Sequence, residues 1–187
     1  MADSEGIGVR LRSLPHRTQI GFRVTPVSQL SAANALGIPA LPGVNRFIGV
    51  GGSFVLWLGP DECLLIAPDG TVEWESRLRN AIGPDQGAVT DVSANRVGFE
   101  LSGPAARDVL ASCCALDLHP RVFGPGGCGQ TLIAKAQVIL AQTDLDTYRI
   151  LVRPSFANYV AAWLEDGVLG VQGHAKLRSL RSFPDRL

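Results

Sequence analysis

Apolar residues in the second half of the chain fall into short runs separated by turn residues. Val97-Gly-Phe-Glu-Leu101 runs into Ser102-Gly-Pro104, where a proline behind a serine or glycine cap predicts a helix over about 104–112, with Ser102 as a candidate cap. Past a turn-rich stretch, residues 131–134 and 137–141 read as strands, Asp144-Leu-Asp146 as a turn and residues 147–152 as a further strand. Pro154-Ser155 then opens a helix that carries Phe156, Tyr159, Val160, Trp163 and Leu164 on one side, at helical spacing.

The first half repeats this order. A strand over 54–58, a turn at Gly59-Pro-Asp61 and a strand over 62–67 lead into a helix over 73–82. Ahead of them lie a strand at 20–24, a helix at 28–36 and a strand at 46–50. Each half therefore reads strand, strand, helix, three strands, helix. Segregated antiparallel strands and helices predict an α+β fold. The expected organisation is one domain over 1–187, built of two pseudo-repeats at about 7–83 and 84–170, with a joint at residues 83–87 and a basic C-terminal tail at 171–187. The two ends, 9–17 and 174–183, mix spaced apolar residues with arginine and read either as frayed ends or as docking segments. Leu177, Leu180 and Phe183, at three-residue spacing, favour docking of one side of a short helix.

Composition narrows the function classes. At 187 residues the chain is long enough to bury roughly 70% of its unfolded surface. Charged residues make up 18% of it, below the about 25% of ordinary soluble domains, which suits a protein with surface to hide against a partner. Lys plus Arg equals Asp plus Glu, 17 each, so no global field draws the chain to nucleic acid or to an acidic membrane. The N-terminus lacks the pattern of a signal peptide and no run approaches the ~18 apolar residues of a membrane span, so the expected location is the cytoplasm. Cys63, Cys113, Cys114 and Cys128 form no C-x-x-C pair and are expected to be reduced and mostly buried.

Candidate chemistry thins out under the same reading. Gly124-Pro-Gly-Gly-Cys-Gly129 matches G-x-G-x-x-G, but a strand follows it where a phosphate site needs a helix, so it reads as a structural turn. Gly49-Val-Gly-Gly-Ser53 reads as a flexible hairpin, with Ser53 a loop serine and no nucleophile elbow around it. His16, His119 and His174 stand apart from one another and from cysteine, so no zinc site is supported. Cys113 and Cys114 sit at the wrong end of their helix for thiolate activation. Asp117 and His119 read as a loop that caps its own backbone, and Asp91 and Ser93 as strand-end groups. Trp57, Trp74 and Trp163 are core residues or interface anchors. No catalytic, cofactor-binding or metal-ligating residue emerges.

Asp91-Val-Ser93, followed by Val97-Gly-Phe-Glu-Leu-Ser-Gly-Pro-Ala105, resembles the strand-and-helix signature of the aminomethyltransferase folate-binding domain. More narrowly, Leu101-Ser-Gly-Pro-Ala-Ala-Arg-Asp-Val-Leu110, Leu116-Asp-Leu-His-Pro-Arg-Val-Phe123, Gln130-Thr-Leu132, Ala136-Gln-Val-Ile-Leu140 and Tyr148-Arg-Ile-Leu-Val-Arg-Pro-Ser-Phe156 resemble the gamma subunits of heterotetrameric sarcosine oxidase. The likeness is strong over 86–167 and weaker over 56–67.

It implies duplicated β-β-α-β-β-β-α halves that exchange their first strands. It also implies a non-catalytic structural subunit of a complex that oxidatively demethylates sarcosine to glycine, with tetrahydrofolate as one-carbon acceptor. FAD, FMN, NAD, tetrahydrofolate and zinc are then expected in the alpha, beta and delta partner subunits, none in this chain, with alpha the most direct partner. Ala134-Lys-Ala-Gln137 stands where the folate-using relatives carry a carboxylate, and it offers no Asp or Glu. The competing expectation is a free-standing folate-binding or aminomethyltransferase-like protein.

Overall fold

The computed structural model describes the backbone of residues 4–6, 8–71, 73–84 and 86–181, and side chains over 8–71, 73–84 and 86–173. The chain opens with β1 (Ser4–Gly6), β2 (Val9–Ser13), β3 (Thr18–Val24) and α1 (Gln29–Leu36). Next come β4 (Phe47–Val50), β5 (Ser53–Trp57), β6 (Glu62–Ala67) and α2 (Glu73–Ile82). After them run β7 (Gly87–Asp91), β8 (Val97–Ser102), α3 (Ala106–Ala111), β9 (Cys128–Ile133), β10 (Ala136–Asp144) and β11 (Thr147–Val152). A single 3₁₀ turn at Pro154–Phe156 leads into α4 (Ala157–Arg181). Among the described residues no helix is long and apolar enough to cross a membrane.

The strands form two antiparallel sheets, ordered β1-β2-β8-β11-β10-β9 and β4-β5-β6-β3-β7. Three strands, β1, β2 and β7, lie in the sheet of the other half. β2, from the start of the chain, pairs with β8, and β7, from the middle, pairs with β3. The six-stranded sheet thus takes β1 and β2, and the five-stranded sheet takes β7, from the other half of the sequence, and Leu11 lies opposite Leu101 while Phe22 lies opposite Val89.

Both sheets are covered on both faces, so their inner strands read as nearly unbroken apolar runs. Side chains alternate between faces with a period of two. On β6, Cys63, Leu65 and Ala67 pack with α1 and α2, whereas Leu64 and Ile66 face the other sheet. On β10, Val138 and Leu140 pack with α3 and α4, whereas Ile139 and Ala141 face β5 and β6. The order of layers is helices, sheet, sheet, helices.

Several elements differ from the sequence-based expectation. Residues 9–13 are neither frayed nor a docking segment; they are β2, with Val9 and Leu11 buried. Ser53 is not a loop serine: it opens β5, is buried, and pairs with Val50 across a two-residue turn. Gly51 and Gly52 both adopt positive φ there, as a tight hairpin turn requires. Ser102 does not cap a helix. It ends β8 opposite Arg10 and Thr147, and α3 starts behind Ala105 without a side-chain cap.

The physical reason lies at Gly103, where φ is +111° and the backbone passes so close to Gly8 that an added Cβ would stand 2.5 Å from the Gly8 carbonyl oxygen. That carbonyl accepts the Ala105 N–H at 3.0 Å, so the end of β8 is tied to the start of β2 by backbone alone. On α4, the expected single apolar side divides. Val160, Leu164 and Val168 are buried, whereas Phe156, Tyr159 and Trp163 stay 46%, 37% and 41% exposed. The helix continues past residue 170 to Arg181 without a break, and the side chains of Leu177, Leu180 and Phe183 lie outside the described residues.

Gly103→Ala is expected to lower stability by roughly 1–3 kcal/mol from backbone strain before any clash is counted. Chemical denaturation of the variant measures this, and an unchanged midpoint contradicts the Gly8 contact. Tyr148, fully buried in the core, leaves its hydroxyl without a hydrogen-bond partner among the described residues. Tyr148→Phe is therefore expected to leave the melting temperature unchanged or raise it, because a buried hydroxyl with no partner costs about 1–3 kcal/mol of desolvation. A marked fall would reveal a partner for that oxygen.

Candidate functional site

The face of the six-stranded sheet that looks toward the other sheet changes character along its strands. Ile139 and Leu151 are apolar, but the neighbouring cross-strand row reads Arg12, Glu100, Arg149, Ala141, Cys128. β8 and β11 each place one charge on this face and β2 places two, Arg10 and Arg12, and antiparallel register sets Arg12, Glu100 and Arg149 side by side. Glu100 is only 7% exposed; its carboxylate accepts Arg12 at 2.7 Å and stands 3.7 Å from Arg149 Nε. The longer separation is not a direct hydrogen bond. The Arg149 guanidinium instead lies over the Phe54 ring, 4.5 Å from its centroid.

Beside this row the two sheets part around a cavity of about 300 Å³. Phe47, Phe54, Leu56, Ile66, Phe99 and Leu151 supply its apolar walls, and Ala157 and Ala161 of α4 close one side. Phe47 and Phe54 meet edge to face at 5.7 Å. The polar lining is cationic or neutral: Arg17, Arg96, Arg149, His16, Gln19, Asn158, Ser13 and Thr143, with no carboxylate among the lining residues. Burial lowers the pKa of Arg149 below the ordinary arginine value; Glu100 pulls it back up, and Arg17 and Arg12 lower it again. Arg96 is lowered by burial and then by Arg153. These guanidiniums remain charged at any physiological pH, so the cavity carries a positive potential on an apolar surface.

Gln19 is 3% exposed and held from several sides. Its backbone N–H donates to Ser93 Oγ at 2.9 Å, and its amide nitrogen donates to the Arg96 and Ser93 carbonyls at 2.8 and 3.4 Å. Ser93 is oriented by Asp91, whose carboxylate accepts the Ser93 N–H at 2.8 Å. Arg17 donates to the Gly52 carbonyl at 3.0 Å, which joins the cavity rim to the β4–β5 turn.

Of the residues weighed from the sequence, His16 lies on the cavity rim and Asp91 and Ser93 brace Gln19, while the others lie outside the lining. Gly126 and Gly127 exchange backbone bonds with Gln142, and Gly126 also accepts the Phe47 N–H, so the glycine-rich run is a seam between the sheets. Asp117 accepts the His119 N–H, and His119 Nδ1 accepts the Arg121 N–H: a loop capping itself. Burial pushes Cys63 up to about 12 and Cys113 and Cys128 up to about 11, which keeps these thiols protonated at neutral pH. Ala134 and Lys135 form the two-residue turn from β9 to β10. Trp57 and Trp74 are half-buried, Trp74 beneath Arg77, while Trp163 stands exposed against Tyr159. Sequence reasoning passed over the Arg12, Glu100 and Arg149 row. Its signal was present as a lone charge on each of the apolar strands β8 and β11, and as Arg12 in the arginine-rich β2.

His16, on the cavity rim, pairs through Nδ1 with Asp69 at 2.9 Å; this bond raises the histidine pKa above 6.5 and lowers that of Asp69. The histidine's contribution to stability is therefore fully present below its unfolded value and lost as pH rises through the higher folded value. Asp69 contributes above its unfolded value and loses that contribution as pH falls through the lower folded one. NMR titration of Asp69→Asn is expected to return the His16 midpoint toward its ordinary value. An unmoved midpoint contradicts the pair.

The comparisons with known proteins agree on one family. The family model described as sarcosine oxidase, gamma subunit family matches residues 22–169. The sarcosine oxidase subunit gamma of Corynebacterium sp. strain P-1 is 43% identical over 164 residues, covering 86% of this chain and 80% of that protein. Its counterpart from Corynebacterium sp. strain U-96 is 42% identical over 165 residues, covering 86% and 79%. In solved structures, a chain of the heterotetrameric sarcosine oxidase from Corynebacterium sp. U-96, in complex with pyrrole 2-carboxylate, superposes with a TM-score of 0.83 at 38% identity, over 91% of this chain and 88% of that one. Aminomethyltransferase T of the glycine cleavage system from Bartonella henselae aligns with a TM-score of 0.64 at 18% identity, over 84% of this chain and 45% of that one, a likeness of fold. On this match and these identities, the chain belongs to the sarcosine oxidase gamma subunit family.

Proposed function

We propose that the chain is a non-catalytic structural subunit of a heterotetrameric sarcosine oxidase, and that it docks on the alpha subunit. The observation that carries this reading is the exposed aromatic stripe on α4. Phe156, in the 3₁₀ turn that leads into α4, is followed at helical spacing by Tyr159 and Trp163, which stack edge to face 6.4 Å apart, so the three present a joint apolar surface. Tryptophan and tyrosine are the residues most often found at the energetic centre of protein interfaces. On the adjoining flank of the same helix, Val160, Leu164 and Val168 anchor it in the core, so the stripe sits on a rigid support.

Two further features support a subunit that does no chemistry of its own. The cavity lining offers no carboxylate to act as acid or base, and three of the four thiols are held protonated by burial. In this reading FAD, FMN, NAD, tetrahydrofolate and zinc reside in the alpha, beta and delta subunits, and the assembly works in the cytoplasm, where the four free cysteines stay reduced.

Co-expression of the tagged chain with the remaining subunits tests the reading. The intact chain is expected to bring the others down and to show neither sarcosine turnover nor a flavin spectrum alone. Trp163→Asp is expected to weaken association about 30-fold or more, the effect of losing an interface anchor of at least ~2 kcal/mol. Its own melting should stay within about 0.5 kcal/mol of the parent chain, as for an exposed position. Association of Trp163→Asp at parent affinity would remove α4 from the interface, and turnover by the chain alone would overturn the non-catalytic role.

A further inference from the structure

We infer that the cavity between the two sheets is a binding site for a flat aromatic anion that also carries an N–H or O–H donor. Three observations converge on that chemistry. The first is volume and lining: about 300 Å³ walled by Phe47, Phe54, Phe99 and aliphatic side chains lies at the lower end of small-molecule pockets and admits an aromatic ring system.

The second is an excess of positive charge. Glu100 is the one carboxylate among the three arginines Arg12, Arg17 and Arg149, and its short contact goes to Arg12. Arg149 keeps its buried Nε without a hydrogen-bond partner, although the guanidinium is pinned by Phe54 and faces the cavity. A donor left over in a buried cationic wall is complementary to a ligand carboxylate or sulfonate. The third is the opposite deficiency in the facing wall, which the five-stranded sheet supplies. Gln19 Oε1 is buried with no donor, because the amide nitrogen is spent on two backbone carbonyls. Such an oxygen is costly to leave dry and is matched by a ligand N–H or O–H.

This inference rests on the cavity walls and is independent of the stripe on α4 proposed to meet a partner. Its test uses the full chain and two fluorescent probes of like shape. Anilinonaphthalene sulfonate supplies an anion, an N–H and fused rings; N-phenylnaphthylamine supplies the same rings and N–H without the anion. The sulfonate is expected to bind saturably at one site per chain. Arg149→Met should weaken it about tenfold or more, the loss of a charged hydrogen bond, while leaving the neutral probe within twofold. Arg17→Gln, at the rim, should shift the balance in the same direction by less. Ala161→Phe, which fills the cavity from α4, should abolish both probes. Should Ala161→Phe fail to fold, the ratio of the two probes in the arginine variants still decides. Non-saturable binding, unchanged sulfonate affinity in Arg149→Met and Arg17→Gln, or unchanged binding of both probes to folded Ala161→Phe would overturn the inference.

Discussion

The pairing of β2 with β8 and of β7 with β3 is the constraint on which the rest of the structure depends. Because each sheet borrows from the other half of the chain, β1 and β2 in one case and β7 in the other, neither half holds a complete sheet of its own. Removing β2 would expose the β8 edge and strip Val9 and Leu11 from a core that also holds Leu101, Val109 and Tyr148. Long-range pairing of this kind closes large loops before any contact forms, which is slow to establish but ties the halves together. The close backbone approach of Gly8 and Gly103 marks where the crossing is tightest.

The same crossing creates the polar row inside an apolar layer. Arg12 reaches Glu100 only because β2 lies beside β8 in that register; a slip of β2 by one residue would turn Arg12 toward α3 and α4 and leave Glu100, held by β11, without it. Glu100 is too buried to stand alone, since an unpaired carboxylate in that setting carries several kcal/mol of desolvation cost. Arg149 offsets its own burial by stacking on Phe54 of the opposite sheet. The row therefore bridges the two sheets electrostatically beside the cavity, where the apolar packing of Leu56, Leu64, Ile139 and Leu151 gives way.

The family membership and the layout of exposed surface give these features a setting. The likeness to aminomethyltransferase T is a likeness of fold, and β9 and β10 are joined by a two-residue turn of Ala134 and Lys135 that carries no carboxylate. What distinguishes this chain from a solitary globular domain is α4, one helix with two apolar stripes. One stripe is consumed by the core, and the other is left with aromatic rings in water.

The α+β class, both hairpins around Gly59-Pro-Asp61 and Asp144-Leu-Asp146, α2 and the inner strands were legible because each depends on local signals. Doubly buried strands make apolar runs, turns need glycine, proline or aspartate, and helices show their period. Sequence analysis also anticipated, through the family resemblance, that opening strands are exchanged; periodicity alone did not locate β1 or β2, since Val9-Arg-Leu-Arg-Ser13 is short, rich in arginine and as compatible with a solvated end. The start of α3 was misplaced because its cap comes from backbone brought in by Gly8, 97 positions before Ala105. The two stripes of α4 could not be told apart from spacing, since Tyr159 and Val160 are adjacent on the helix and only the packing of α3 and the sheet selects which is buried. Convergence of Arg12, Glu100 and Arg149 was likewise decided by tertiary structure alone. Alternation says that each shares a face with its own strand's neighbours, but which strands lie side by side is settled by pairing across the whole chain.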